Sequence, residues 1–166
     1  MNNLLENKLN LKTFNASSKV WLFTADKTLN DSEHGAIQMD IDSFCAHWDS
    51  HGVVLKATGF ILFSRLLMLI VDESSHAISG CSMDKSVAFI KNVEIKYKIS
   101  LFDRLLQSAL VNNEWQTAST AIWSEKLKSN EINFETLFID TLVNNLYDAQ
   151  HHLIKNLGSF WLKRVI

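Results

Sequence analysis

The chain has 166 residues, with sixteen basic and eighteen acidic side chains and a formal net charge of −2. Its length suits one domain with a real core, and 47% hydrophobic against 20% charged residues excludes a disordered chain. No basic excess exists to neutralise a run of phosphates, which argues against a dedicated nucleic-acid binder, and two cysteines exclude a disulfide scaffold or a multi-cysteine zinc ribbon.

The N-terminus, MNNLLENKLNLKTFNASSK, is broken by Asn, Glu and Lys and contains no apolar core of signal-peptide length. The most apolar stretch, Phe60 to Val71, is interrupted by Ser64 and Arg65 and is too short for a membrane-spanning helix, which needs roughly 20 residues. These features predict a cytoplasmic protein that does not engage a membrane. Residues 1–17 read as a flexible or short helical arm, and residues 18–166 as a single α+β domain.

Lys19 to Thr24 is β-branched and aromatic on both faces and predicts a central strand. Asn30 or Asp31 can cap a helix whose apolar stripe is Ile37, Ile41, Phe44, Cys45 and Trp48, with Ser50, His51 and Gly52 as its stop. Val54 to Phe63 alternates, with Leu55, Ala57, Gly59, Ile61 and Phe63 on one face. Leu66 to Val71 is continuously apolar and predicts a strand buried on both faces. After a polar segment, Ser82 can cap a second helix with the stripe Phe89, Ile90, Val93 and Tyr97. Leu101 to Val111 predicts a fourth strand, Asn112-Asn113 a two-residue turn, and Gln116 to Thr120 a returning strand. A short helix over 121–129, a short strand over 136–140, a helix over 147–157 and an aromatic tail docking through Phe160 and Trp161 complete the chain. The order strand, helix, strand, strand, helix, strand fits a ferredoxin-like split βαβ sheet with helices on one face. The hairpin and the C-terminal α/β segment read as additions to it.

Residues 72–86, DESSHAISGCSMDKS, stand out. They follow the most apolar strand and lead into a helix N-terminus, where backbone N–H groups and the helix dipole favour anions. Ser79, Gly80, Cys81, Ser82, Lys85 and Ser86 are therefore the candidate ligand-binding residues. The segment is no phosphate-binding loop: Lys85-Ser86 follows Asp84, and both glycines that the motif requires are absent. Cys81 is the candidate nucleophile, since a thiol near a helix start can be activated; buried packing is its competing role. Cys45, between Phe44 and Trp48, reads as core.

In a split βαβ sheet the third strand runs opposite to the first, so the loop after it lies at the C-terminal end of the first helix. His47 and His51 would then face His76 and Cys81. Zinc accepts such ligands, but Trp48 belongs to the core and His51 to the helix stop, so no metal and no cofactor is expected. His76 and His51 remain candidate bases for Cys81.

The pieces SGCSMDKS with VDES ahead of it, KVWLFTADKTL, W-x-x-H-G at Trp48 to Gly52, LKATG at 55–59, SLFDR at 100–104 and the terminal FWLKR resemble a family of short Bacteroidetes proteins. That family carries an SGCS[IM]DKS motif and is often catalogued as "ABC transporter ATPase". The resemblance runs over most of the chain from Val20 onward. It implies no established function, and the ATPase label conflicts with the residues, which include neither a Walker A motif nor an LSGGQ-type signature. The family pattern has a histidine where this chain has Ala88.

The leading expectation is a non-enzymatic module that binds a small ligand or a protein partner through 72–86. One alternative is a small enzyme with Cys81 as nucleophile and His76 or His51 as base. Another is a homo-oligomer assembled through a strand edge or the C-terminal aromatics.

Overall fold

The computed structural model describes Leu9 and residues 11–166. The chain is mixed α+β. Strand β1 (Lys19–Thr24) leads through helix α1 (Asp31–His47) to a two-residue-stranded hairpin, β2 (Asp49–Ser50) and β3 (Val53–Val54). Strands β4 (Lys56–Leu62) and β5 (Leu66–Asp72), helix α2 (Gly80–Tyr97) and the hairpin β6 (Leu106–Val111) and β7 (Glu114–Ser119) follow. Helix α3 (Thr120–Lys128), strand β8 (Leu137–Ile139), helix α4 (Leu146–His152), strand β9 (Ile154–Asn156) and two 3-10 turns end the chain.

Two sheets carry the architecture. The first is antiparallel with the order β1-β5-β4; the second has the order β7-β6-β8-β9. Strand β5 is buried at all seven positions. Its odd-numbered residues Leu67, Leu69 and Val71 join Ile37, Ile41 and Cys45 of α1 and Ile90 and Val93 of α2 in one core. Its even-numbered residues Leu66, Met68 and Ile70 join Leu9, Ile139, Val143, Leu146 and Leu153 in a second. The C-terminal addition thus covers the face that the helices leave open. A third core, around Trp123, Phe138, Phe160 and Leu162, lies against the second sheet.

Local chemistry explains most element ends. Asn30 caps α1 in a reciprocal box: its side chain accepts from the Glu33 N–H (2.9 Å), and Glu33 accepts from the Asn30 N–H (3.0 Å). Asn112 and Asn113 both take positive φ at the β6–β7 turn, as that dipeptide predicts. Phe160 is buried in the third core, so the tail docks as expected.

Other ends differ from the sequence reading. Helix α1 stops at His47, before the Ser50–Gly52 stop, because the buried Trp48 leaves the helix and donates its indole N–H to the Ser82 carbonyl (2.8 Å). His51 and Gly52 instead form the β2–β3 turn, both with positive φ. Strand β6 begins at Leu106 rather than Leu101, since Glu94 Oε1 accepts the N–H groups of Leu101 (2.6 Å) and Phe102 (3.1 Å) and holds that stretch outside any ladder. The expected helix over 147–157 is divided: α4 ends at His152 and β9 pairs with β8. Strand β6 pairs with β7 and β8, where a single split βαβ sheet would have placed it beside β1. The expected arm over 1–17 lies partly outside the described residues. Of the part described, Leu9 is buried and its carbonyl accepts from Gln150 (2.7 Å).

Helix α1 sits directly on β4 at Gly59. A Cβ there would lie 2.6 Å from Ile41 Cγ2 and 2.8 Å from the Met68 carbonyl oxygen. Backbone of a fully buried strand cannot yield cheaply. Gly59→Ala is therefore expected to destabilise the fold by about 1–3 kcal/mol, the usual cost of overpacking, read as a lower urea midpoint at unchanged m-value.

Candidate functional site

The strand-to-helix segment 72–86 lies where the topology argument puts it, against the end of α1. Its polar groups are spent on holding that junction. The Asp72 carboxylate accepts from Lys56 Nζ (2.8 Å), the Asn15 N–H (3.1 Å) and the Ser74 N–H (3.0 Å). Glu73 pairs with Lys19 (2.9 Å) and accepts the Ile78 N–H (2.9 Å). The cap of α2 is Ser79 and not Ser82: Ser79 Oγ accepts the Ser82 N–H (3.2 Å). The buried Ser82 donates its own hydroxyl to the Asp49 carbonyl (2.8 Å), a tertiary bond that removes it from capping. Lys85 forms an ion pair with Asp49, and Ser86 donates to the Met83 carbonyl (2.7 Å). Gly80 begins the helix with open space around its Cα.

The candidate catalytic residues are not joined into a reacting group. Cys81 is exposed, and no hydrogen bond links it to a histidine among the described residues. His76 Nε2 meets the Ser50 carbonyl (3.2 Å), His47 Nδ1 meets the Ser43 carbonyl of its own helix (2.8 Å), and His51 lies exposed in the β2–β3 turn. No three His, Cys, Asp or Glu side chains among the described residues are grouped to hold a metal ion. Cys45 is buried, and burial, helped by Asp42, pushes its thiol up to about 12.

The concave surface of the molecule lies elsewhere. A cleft of about 360 Å³ opens between β1 and the start of β6, lined by residues 20–24, 101–104 and 141–144 with Leu106, Gln107 and Trp161. The sequence reading missed it, because apolar residues on both faces of β1 and an apolar run after residue 100 look the same whether they fill a core or line a cleft. Its back wall is the outer edge of β1. The Val20 N–H points away from β5 to the Asn144 carbonyl (2.9 Å), and the Ser18 carbonyl accepts from the Leu146 N–H (2.9 Å), with Lys19 opposite Asn145. Past Val20 no strand pairs with β1 on that side. Backbone direction alternates along a strand, so Leu22 and Thr24 turn their N–H and C=O groups into the cleft. The cleft walls around this row of backbone polar groups combine Leu, Val, Phe and Trp side chains with Asp103, Arg104, Gln107 and Thr141.

Outside the residues that line the cleft, the turn between β4 and β5 carries a buried cation. Arg65 is 3% exposed. Its guanidinium donates to Thr117 Oγ1 on β7 (2.6 Å) and to Thr28 Oγ1. Thr117 in turn shares a hydrogen bond with Ser108 (2.8 Å), the neighbour of Gln107.

Two outcomes test this description. Native alkylation with iodoacetamide is expected to modify Cys81 and spare Cys45, with both modified after denaturation; mass spectrometry of the peptides reads the result. Burial works to raise the Asp72 carboxyl, but the hydrogen bonds from Lys56, Ser74 and Asn15 outweigh it and hold it well below the usual carboxylate range. A depressed folded pKa contributes stability that is present above the unfolded value, near 4, and is lost as pH falls below it. Asp72→Asn is therefore expected to cost about 1.5–3 kcal/mol at pH 7, the worth of a hydrogen bond to a charged group, and to flatten the fall in stability between pH 4 and pH 2 in urea melts.

No family model, no curated protein and no solved structure matches the chain.

Proposed function

We propose that the protein is a non-enzymatic binding module whose ligand, a small molecule or a short protein segment, occupies the cleft between β1 and β6. One observation carries this reading: beyond Val20 the edge of β1 is left without a strand partner inside a cleft of about 360 Å³ with mixed apolar and polar walls. An unpaired strand edge is a template for an added strand, and apolar pockets beside it supply selectivity. The 72–86 segment supports the reading less well, because Lys85 is neutralised by Asp49 and the serine hydroxyls bond to protein.

The same proposal makes the first sheet a ferredoxin-like unit opened at its fourth strand. The order β1-β5-β4 and the packing of α1 and α2 on one face support it, with β6 as the strand displaced from the β1 edge. A cytoplasmic location belongs to the proposal as well and is supported by two unpaired thiols, Cys45 and Cys81. The family suggested by the SGCSMDKS segment fits a binding role no better and no worse than an enzymatic one, so the cleft alone carries the assignment.

A fragment screen followed by amide chemical shifts tests the site. Hits are expected to move the amides of Leu22, Thr24 and Leu106. Hits confined to residues 79–86 would return the site to the start of α2.

A further inference from the structure

The first sheet has two outer edges, one on β4 and one on β1, and the chain completes them differently. On β4 the Gln38 side chain of α1 lies across the edge. Its Nε2 donates to the Gly59 carbonyl (3.0 Å), and its Oε1 accepts from the Ile61 N–H (3.2 Å). Asp42 Oδ1 also accepts from Nε2 (2.9 Å) and fixes the orientation of the amide. One neutral carboxamide thus satisfies a strand carbonyl and the N–H two residues further on, the work that a residue of a neighbouring strand would do.

The outward positions of β1 are Val20, Leu22 and Thr24, followed by Asp26 beyond the strand end. At one end the Val20 N–H donates to the Asn144 carbonyl (2.9 Å), and at the other the Asp26 N–H donates to the Ser100 carbonyl (3.1 Å). Between them stands the same pair that Gln38 completes on β4: the Leu22 carbonyl and the Thr24 N–H. No group among the described residues bonds to either. Both residues line the cleft. Thr24 is 5% exposed, and its Oγ1 is also buried without a partner. Buried polar groups in folded proteins are paired as a rule, so this end of the cleft wall lacks a partner.

Two constraints define that partner. The Leu22 carbonyl needs a donor and the Thr24 N–H an acceptor, side by side. A carboxylate offers only acceptors and an ammonium only donors, whereas a carboxamide offers both. Length is restricted too. From Val20 to Asp26 the edge runs about 20 Å at roughly 3.3 Å per residue, and the chain's own segments close both ends. A long strand of a second copy or of a folded partner therefore has no straight path along it, while a single planar amide has room.

We propose that the cleft holds a ligand through a neutral carboxamide, which donates to the Leu22 carbonyl and accepts from the Thr24 N–H as Gln38 does at Gly59 and Ile61. The carboxamide belongs to a small molecule or to a glutamine or asparagine side chain of a peptide segment, with an apolar body against the Leu, Val and Phe side chains of the walls. The inference rests on the cleft being the binding site, and it adds the ligand's chemistry.

The test uses the full chain, with amide chemical shifts of Leu22 and Leu106 reporting site and affinity. The probes are isobutyramide, N,N-dimethylisobutyramide, sodium isobutyrate, and two blocked tripeptides, acetyl-Leu-Gln-Leu-methylamide and its Leu-Met-Leu counterpart. Isobutyramide is expected to bind saturably and at least about five-fold more tightly than the dimethylamide, which accepts but cannot donate and leaves the Leu22 carbonyl unpaired. Isobutyrate is expected to bind more weakly still. Thr24→Pro removes the Thr24 N–H, and an edge strand tolerates proline where the N–H faces away from the ladder; it is expected to abolish the preference for isobutyramide. A glutamine tripeptide that binds more tightly than isobutyramide and than its methionine counterpart upholds the proposal with a peptide as the source. A glutamine tripeptide weaker than isobutyramide upholds it with a small molecule as the source. Equal binding of isobutyramide and the dimethylamide, tighter binding of isobutyrate, or an undiminished preference in folded Thr24→Pro would overturn the carboxamide. Silence of the cleft amides toward every probe would overturn it as well, while fragment hits there without an amide would still uphold the binding site. The comparison of the two amides is made in the wild type, so it stands even where Thr24→Pro does not fold.

Discussion

Strand β5 is buried along its whole length, and a strand apolar on both faces must be covered on both faces. Helices α1 and α2 cover one face. The other is covered by the arm at Leu9, the turn after β8 and helix α4. To reach that face, the chain after β8 passes along β1, where the Asn144 carbonyl accepts from the Val20 N–H and the Leu146 N–H donates to the Ser18 carbonyl. This segment occupies the position at which a next strand would begin. Strand β6 consequently pairs with β7 and β8, and the remaining part of the β1 edge faces a cleft. The cleft is thus a consequence of the double burial of β5.

The β4–β5 connection joins the two sheets. Phe63 and Ser64 both take positive φ there, and each left-handed non-glycine residue costs roughly 1–2 kcal/mol. Three contacts offset that cost. Phe63 packs on Trp115 of β7 with ring centroids 4.7 Å apart, the Ser64 carbonyl accepts from Leu29 (2.8 Å), and Arg65 bonds to Thr117. The turn conformation aims Phe63 and Arg65 at the same strand. A charged residue at this joint is a costly choice for a purely structural tie, since an apolar side chain of similar size would avoid the desolvation of a charge.

Much of the first sheet was legible because its signals are local. The run Leu66 to Val71, the Asn30–Glu33 spacing and the Asn112-Asn113 turn each act within a few residues. The antiparallel third strand followed from topology, and with it the meeting of 72–86 with the end of α1. What was not legible depends on contacts distant in sequence. Ser79 and Ser82 are equally good caps by composition, and the Asp49 carbonyl decides between them by taking the Ser82 hydroxyl. Strand β6 starts late because Glu94, on a preceding helix, captures the N–H groups of Leu101 and Phe102. Arg65 was visible only as a break in the most apolar stretch of the chain. That break marked the turn between β4 and β5, where the arginine reaches β7 through Thr117.

Two cations, Lys85 at the start of α2 and Arg65 in the β4–β5 turn, differ in what an anion would have to displace. Lys85 is paired with Asp49, whose carboxyl is held below the usual range by Lys85 and by the Gly52 N–H. An anion at the start of α2 must therefore compete with a carboxylate already in place and tethered by the β2–β3 hairpin. Its gain is the difference between two similar ion pairs, which is small. Arg65 holds only neutral hydroxyls, so an anion there replaces no charge and neutralises one that is already desolvated. Desolvation is the main cost of forming a buried ion pair, and at Arg65 the protein's half of that cost is met on folding. By the charge an anion would have to displace, the start of α2 is therefore the poorer of the two, although the sequence places its most conspicuous polar segment there.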